Sequence, residues 1–378
     1  MSNDLDLIPW HTLSHAYGAA TDTPQHLRNL TDPDPVVIKQ AYSALSMSIV
    51  HQGWVSPTAI AAFPYLLRLS LTSSGPTRSY AAVFAMIIIE GIAPPHASSV
   101  PCGYFLSSNG QMEDNLDAVE ARAILYPLVI QSFPALLPLL HDPDEDIAAK
   151  MLHIVACCVT TDETVWSQIA PYAQTEQRLT FQASYQVIAW RSGNPMARAW
   201  VAETFAQSQE PLVTLTAALV LAHTKQPVPE VVTSWLVTIS QSHDQTLIKQ
   251  YNALRLTRWY WFDCALVLYH RPLPERTMIV RQWLIHFDSR GLSVNDAEAI
   301  ALLMMAFGRL QYKKSAVEHG DIQATVMLWL AQRAFTRADR DHGVPERILR
   351  AFGLPWKPAA INGFLRLPNA THPAFATE

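Results

Sequence analysis

Apolar residues recur along most of this chain at steps of three and four, the spacing that places side chains on one face of an α-helix. The segments 36–49, 147–155 and 212–221 show this pattern, whereas the strict alternation typical of strands is almost absent. Turn sequences rich in Pro, Gly, Asp and Ser separate the helical segments, so that two helices with their turns make a unit of roughly 35 to 45 residues. The pattern predicts an all-α chain of repeated helical hairpins.

Similar segments within the chain support a repeated unit. The segment "FPYLLRL" at 63–69 matches "FPALLPL" at 133–139, and "LTDPDPVVIKQAYSAL" overlays "LHDPDEDIAAKMLHIV" at an offset of 110 residues. A third segment, "IKQAYSAL" at 38–45, reappears one residue shorter as "IKQYNAL". Independent matches of this kind between segments are typical of repeat proteins.

The repeated unit has a first helix with an internal Pro, a turn bearing an Asp, and a second helix with an early Lys, and it resembles the HEAT repeat. The opening "WHTLSHAYGAA" and the "IVHQG" at 49–53 are also similar to bacterial HEAT-repeat (armadillo-like) proteins. The resemblance implies an α-solenoid of HEAT-like helical hairpins, wound into a right-handed superhelix that binds other macromolecules. The residues that carry the resemblance are Pro64 and Pro134 in first helices, Asp34, Asp144 and Asp244 in turns, and Lys39, Lys150 and Lys249 in second helices.

The domain organisation follows from the extent of the repeats. We expect an N-terminal capping helix at 1–22, a repeat array at 23–310 and a C-terminal helical cap and tail at 311–378. An insertion at 93–115 interrupts the array; it is rich in Pro, Ser and Gly, yet contains Tyr104 and Phe105. Long loops on rigid scaffolds carry function or are disordered, and the sequence leaves both open.

The composition of the chain limits the kinds of partner that we expect it to bind. The net charge is -5, with 49% hydrophobic and 16% charged residues, so a strong electrostatic hold on nucleic acid is not expected. Four cysteines without metal-type spacing indicate buried free thiols in a reducing compartment, and no secretion signal is evident, which predicts a cytoplasmic protein. The segment 123–141 lacks charged residues but holds three prolines, so it predicts a kinked core helix rather than membrane insertion.

The acidic turn "HDPDED" at 141–146 has two interpretations, a metal loop or helix caps. It lacks the Gly and the later Glu of a calcium loop, so we predict that Asp142 or Asp144 caps the next helix, with Pro143 in its first turn. His11 and His15 are expected to pack on the opening helix, because no further zinc ligands are nearby. No catalytic residue, metal site or cofactor is predicted.

The segment "RLTRWYWFDCALVL" at 255–268 is the strongest candidate for a binding surface. On one continuous helix over 247–268, Arg255, Trp259 and Asp263 follow at four-residue steps. They lie beside an apolar stripe formed by Leu247, Tyr251, Leu254, Trp261, Ala265 and Leu268. One interpretation has the aromatic residues filling the seam between repeats, with Arg255 and Asp263 solvated. The other places a concave-face surface here. The full set of candidates is Trp190, Arg191, Arg255, Arg258, Trp259 and Asp263, with Tyr104 and Phe105 in the insertion.

Two functions are consistent with these features. The favoured one is a non-enzymatic scaffold whose concave face binds a protein or peptide partner, as an adaptor or a toxin-immunity protein. The alternative is a DNA-binding enzyme that resembles the HEAT-like alkylpurine DNA glycosylases, which use helical Trp and Asp residues near the lesion; Trp259 and Asp263 match that pair. The oligomeric state stays open.

Overall fold

The computed structural model of the chain describes residues 4–51, 55–93, 116–159, 164–223, 228–242, 244–254, 256–257, 260–289, 296–307 and 321–335, with Leu349 and Leu354. The described residues contain seventeen α-helices, and their strands are limited to one antiparallel pair, Ser14–His15 with Gly18–Ala19. The prediction of an all-α chain is confirmed.

Most of the α-helices are joined by short connections, as the hairpin pattern predicts, whereas the longer intervals before α5 and before α17 lie largely outside the described residues. In chain order they are α1 Thr23–Asn29, α2 Pro35–Ser48, α3 Pro57–Thr72, α4 Gly75–Ile92, α5 Leu116–Gln131, α6 Phe133–Leu136, α7 Glu145–Cys158, α8 Val165–Thr175, α9 Leu179–Arg191, α10 Pro195–Gln207, α11 Pro211–Ala222, α12 Glu230–Ser242, α13 Gln245–Asn252, α14 Tyr260–Leu268, α15 Leu273–Ser289, α16 Asp296–Phe307 and α17 Asp321–Phe335. Short 3-10 helices lie at Asp4–Leu7, Trp10–Thr12 and Leu137–His141.

The chain divides into two compact units. The first comprises Met1–Ser99 with Glu113–Ala199, and the second comprises Val100–Met112 with Trp200–Glu378. The boundary at Ala199 falls within α10. Each unit has its own buried core, as expected for a chain of this length.

In the first unit, consecutive helices pack as hairpins, with α1 on α2 and α3 on α4. The second helices of these hairpins also pack side by side, with α4 between α2 and α7, and with α7 between α4 and α9. We call α2, α4, α7 and α9 the second-helix row. Its central member, α7, is buried at nearly every position from Ile147 to Cys158, because neighbouring helices cover it on several sides.

In the second unit, α11 packs on α12, α13 and α14, while α16 packs on α14, α15 and α17. Aromatic rings fill the core. Trp261 meets Trp283 and Phe287 edge-on, each at a centroid distance of 5.1 Å, and the Trp283 ring N–H donates to the Ser240 carbonyl at 3.0 Å. Satisfying the indole N–H allows Trp283 to be fully buried.

The acidic turns cap helices, as predicted. Asp144 precedes α7, and its carboxylate accepts from the backbone N–H groups of Asp146 at 3.0 Å and Ile147 at 3.4 Å. Asp34 caps α2 and Asp244 caps α13 through equivalent bonds. These bonds satisfy N–H groups that have no partner within the helix. The predicted first-turn position of Pro143 is wrong, because this residue lies before the cap.

Two helix predictions are corrected. Residues 4–22 form two 3-10 helices and the short strand pair instead of a capping helix, so His11 and His15 do not share a helix face. The continuous helix expected over 247–268 is interrupted, because α13 ends at Asn252 and α14 begins at Tyr260. The Tyr260 N–H donates to the Asn252 side chain at 2.8 Å, which holds the corner between the two helices.

The charge-free segment 123–141 is a bent helical pair. The segments Ala118–Gln131 and Phe133–His141 meet at 58°, with Pro127 and Pro134 near the bend. No single helix among the described residues is long and apolar enough to cross a membrane, although this bent pair meets the same criteria of length and composition.

Candidate functional site

The predicted site residues fall in different parts of the chain. Trp190 and Arg191 end α9 in the first unit, whereas Asp263 lies in α14 of the second. The remaining candidates, Arg255, Arg258, Trp259, Tyr104 and Phe105, lie outside the described residues. Their assignment to a binding surface therefore stays a prediction.

Arg191 lies close to titratable groups on two neighbouring helices. Its positive charge acts on the Cys157 thiol of α7 and on the Tyr126 hydroxyl of α5. The side chains of Trp190 and Arg191 are half-buried. The packing of α9 on α7 brings the end of α9 to this position.

A close contact between two titratable side chains, Glu90 and His153, lies on the same row of helices. Glu90 in the last turn of α4 approaches His153 of α7, with 3.6 Å between Glu90 Oε2 and His153 Nε2. The His153 side chain is 3% exposed and that of Glu90 is 21% exposed. At the same end of α4, Arg122 from α5 donates to the Ile92 carbonyl at 2.5 Å. A cation at a helix C-terminus complements the helix dipole there.

These groups form one polar cluster, which we define as Glu90, Arg122, Tyr126, His153, Cys157 and Arg191. Arg122 and Arg191 act electrostatically on Tyr126, Glu90 and Arg191 act on Cys157, and His153 lies 3.6 Å from Glu90. Three of its helices, α4, α7 and α9, belong to the second-helix row.

The cluster is suited to binding and positioning rather than to nucleophilic chemistry. Burial raises the pKa of the Cys157 thiol to about 12, and the nearby Arg191 only partly opposes this effect. Burial likewise raises the pKa of Tyr126 well above its ordinary range. Both groups are therefore protonated at neutral pH, and a protonated thiol is a poor nucleophile.

Most of this cluster was not predicted from the sequence. Glu90 and His153 interrupt otherwise apolar helical segments, "AMIIIEGI" and "MLHIVACC". A titratable residue on an apolar helix face requires a partner when it is buried, and this signal was available in the sequence. Its partner was not, because the two residues are 63 positions apart in the chain.

In the second unit, Asp263 is buried rather than solvated. It is 6% exposed, and its carboxylate accepts a hydrogen bond from the Tyr251 hydroxyl at 2.9 Å. The interpretation that left Asp263 in solvent is therefore wrong. The alignment of Arg255 and Trp259 with Asp263 falls outside the described residues and stays a prediction. The apolar stripe predicted beside them is buried, at Leu247, Tyr251, Leu254, Trp261, Ala265 and Leu268.

In the part of the chain that the structure describes, no group of three or more His, Cys, Asp or Glu side chains could hold a metal ion.

Comparison with models of known protein families gives no match, and comparison with curated proteins finds no significantly similar sequence.

Proposed function

We propose that this chain is a HEAT-like α-solenoid with a right-handed superhelical course, and that it acts as a non-enzymatic scaffold for a protein or peptide partner. The partner binds on the face formed by the second helices, and the protein serves in the bacterial cytoplasm as an adaptor or a toxin-immunity protein. The observation that carries the proposal is the repeated capping geometry at the start of second helices.

The same capping hydrogen bonds occur twice, at the offset of 110 residues found in the sequence. The Asp32 carboxylate accepts from the Asp34 N–H at 2.8 Å, and Asp34 accepts from the Val36 N–H at 2.8 Å. At an offset of 110 residues, Asp142 accepts from the Asp144 N–H at 2.9 Å, and Asp144 accepts from the Asp146 N–H at 3.0 Å. Equivalent atoms make equivalent bonds at both places, which is expected of two copies of one structural unit.

The packing order supports the same proposal. Within each unit, the helices that pack most closely are near neighbours in sequence, such as α3 with α4 and α14 with α16. In repeat proteins each unit contacts its neighbours, and the array then offers a long surface on a rigid frame. Such surfaces are generally used to bind extended partners.

The proposed partner-binding residues are Trp190 and Arg191 in the first unit, together with Arg255, Arg258 and Trp259, which lie outside the described residues. Binding energy at protein interfaces concentrates in a few Trp, Tyr and Arg residues. Arg191 belongs to the polar cluster and Trp190 precedes it at the end of α9. Both side chains are half-buried, and the Glu90 side chain of the cluster is 21% exposed. A partner with a basic or hydrogen-bonding group suits Glu90, and one with an acidic group suits the arginines.

The test combines a binding and a stability measurement on the same variants. Partner proteins recovered with the wild-type chain are titrated against Trp190→Ala and Trp259→Ala, with Tyr17→Ala as an exposed aromatic control outside this surface. We expect each Trp variant to weaken binding by about 2 kcal/mol, the usual magnitude for an interface hot spot. The Tyr17 variant is expected to bind as the wild type does.

Two results contradict the proposal. If Trp259→Ala lowers the free energy of unfolding by roughly 3 to 5 kcal/mol and leaves affinity unchanged, Trp259 is a core residue. If the chain retains duplex DNA, with affinity that falls steeply as salt rises, the scaffold assignment gives way to a nucleic-acid function. Small-angle scattering tests the fold separately, since the solenoid predicts an elongated particle.

A further inference from the structure

Two stacked tyrosines lie on the second-helix row of the first unit, where α2 packs against α4. The ring centres of Tyr42 and Tyr80 are 4.2 Å apart, and the ring planes meet at 17°. The buried ring of Phe84 also contacts Tyr42, with 5.3 Å between the ring centres. Aromatic contacts of this kind stabilise a structure beyond the area that they bury. The three rings therefore hold the tyrosine pair in a defined position.

The tyrosine pair still reaches solvent. Tyr42 and Tyr80 are partly exposed, and neither hydroxyl makes a hydrogen bond to another of the described residues. Each phenol hydroxyl can donate one hydrogen to a ligand. On α4, Val83 and Ile87 follow Tyr80 on the same helix face, and both are also partly exposed. The surface thus combines two unpaired hydroxyls with a short apolar strip.

A lysine lies beside the tyrosine pair. Lys39 precedes Tyr42 by one helical turn on α2, so the two side chains are neighbours on the helix surface. It is exposed and forms no ion pair within the described part of the chain. In α7, by contrast, the early Lys150 is buried and pairs with Asp146 four residues before it. The residue four positions before Lys39 is Pro35, which has no charge, so the charge of Lys39 is open to a partner.

Few acidic side chains compete for this lysine. Helix α2 contains no acidic residue, and α4 contains only Glu90, about 15 Å along the helix from Tyr80 and in contact with His153. In the turn before α2, Asp34 caps the helix and Asp32 accepts from the Asp34 N–H. An incoming carboxylate therefore meets a cation and two hydroxyl donors without an acidic residue from α2 among them.

We propose that the partner of this chain presents an extended acidic peptide segment, which binds across Lys39 and the tyrosine pair. An Asp or Glu carboxylate of the partner accepts from the Lys39 ammonium and from the hydroxyls of Tyr42 and Tyr80. The apolar side chain next to that acid packs on Val83 and Ile87. Charge complementarity selects this occupant. The inference rests on the proposed function, because it assigns the chemistry of the partner to the face formed by the second helices.

The probe is a phage-displayed library of random heptapeptides, selected on the full wild-type chain and sequenced. We expect the enriched peptides to contain Asp or Glu beside Leu, Ile or Phe. One enriched peptide and its amide counterpart, with Asn or Gln in place of the acid, are then titrated by fluorescence anisotropy. The acidic peptide is expected to bind about tenfold more tightly, because its carboxylate receives charge-assisted hydrogen bonds. This advantage should shrink as salt rises.

Three variants of the chain locate the site. Lys39→Gln is expected to weaken the acidic peptide about fivefold and to leave the amide counterpart unaffected. Tyr42→Phe combined with Tyr80→Phe keeps the rings and removes both hydroxyls, so we expect a loss of about tenfold for the acidic peptide. Lys249→Gln is the matched control, since Lys249 is an exposed lysine of α13 in the second unit. It is expected to bind the peptide as the wild type does.

Several results overturn the inference. They are a selection without enrichment of acidic residues, equal affinities of the wild type and Lys39→Gln, and equal losses in Lys39→Gln and Lys249→Gln. Tighter binding of a dT oligonucleotide than of the acidic peptide would make the tyrosine pair a stacking platform for bases. A dimer in sedimentation that Tyr80→Ala dissociates would make a second copy of the chain the occupant.

Failure of this inference is distinguishable from failure of the proposed function. If partner binding depends on Trp190 but no acidic peptide binds at Lys39, the inference fails and the scaffold assignment stands. If Trp190→Ala leaves the recovered partners bound with unchanged affinity, the proposed function fails, whatever the peptides show.

Discussion

Arg78 in α4 and Asp142 before α7 form an ion pair, with 2.6 Å between Arg78 Nη2 and Asp142 Oδ2. The Asp142 side chain is 10% exposed and that of Arg78 is 20% exposed. Asp142 also accepts from the Asp144 N–H, and Asp144 in turn caps α7. The Asp142 carboxylate thus links α4 to the turn that precedes α7.

The first prediction concerns this pair. Arg78→Met leaves the Asp142 carboxylate without its cation in a nearly buried position. We expect the free energy of unfolding to fall by roughly 2 to 3 kcal/mol, less than for a fully buried pair because Arg78 is partly exposed. Urea denaturation measures the change. The control Arg281→Met, at an exposed position, is expected to stay within about 0.5 kcal/mol of the wild type. Equal effects of the two substitutions would show that the pair adds nothing specific.

The second prediction is a dependence of stability on pH. Burial raises the pKa of Asp142, but the hydrogen bonds from Arg78 and from the Asp144 backbone outweigh it and hold this pKa below its usual range. The folded state therefore binds this proton less readily than the unfolded state does. The resulting stability is present above the unfolded pKa and is lost as the pH falls through the folded pKa.

Asp142→Asn provides the test, because the amide does not titrate. We expect the variant to be less stable at pH 7 and to lose less stability between neutral and acidic pH than the wild type. Urea unfolding at a series of pH values measures both. Parallel pH profiles for the two proteins would contradict the assignment to Asp142.

The third prediction separates a cap from a metal site. Asp144→Ala removes the acceptor for two N–H groups at the start of α7, and we expect a loss of about 1 kcal/mol. Asp144→Asn is the matched control, since Asn caps helices about as well as Asp. Calcium or zinc at low micromolar concentration is expected to leave the melting temperature of the wild type unchanged. A rise of several degrees would instead indicate metal binding to the folded state.

The fourth prediction tests the buried Asp263. Tyr251→Phe removes the hydroxyl that donates to its carboxylate, so we expect the free energy of unfolding to fall by about 1 to 3 kcal/mol. Tyr17→Phe is the control, because Tyr17 is 65% exposed. Chemical denaturation of both variants gives the comparison. An unchanged stability for Tyr251→Phe would mean that Asp263 does not depend on this bond.

The fifth prediction concerns thiol reactivity. Cys157, Cys158 and Cys264 are fully buried, and burial raises the pKa of Cys157 to about 12 and that of the other two thiols as well. In a Cys102→Ser background, Ellman's reagent at pH 7 should therefore react with these thiols only as fast as the protein opens. Denaturant should release all three at once. A rapid reaction with one thiol of the native protein would contradict their burial.

Much of the local structure could be predicted because it depends on interactions between residues close in sequence. The cap at Asp144 joins residues two and three positions apart, so the order of residue types in the turn is enough to indicate it. The same holds for helix periodicity, which reflects which face of a segment is apolar. The apolar stripe at 247–268 was likewise identified from its spacing, and its residues are buried.

The corner within that stripe could not be predicted. A continuous apolar pattern is equally consistent with one long helix and with two helices that meet at an angle. The choice depends on bonds across the corner, from Tyr260 N–H to the Asn252 side chain and from the Thr257 hydroxyl to the Tyr251 carbonyl. These bonds need a particular arrangement of the chain, which no local preference specifies.

By itself, then, the sequence determined the helical class and the capped turns, because both follow from contacts within a few residues. Direct comparison of segments also showed two similar capped segments 110 residues apart. Tertiary structure decided which polar groups meet. Glu90 reaches His153, and Arg78 reaches Asp142, only because α4 packs against α7 and its preceding turn. Packing of this kind depends on the shapes of whole helix faces, and these pairs are 63 and 64 residues apart in the chain.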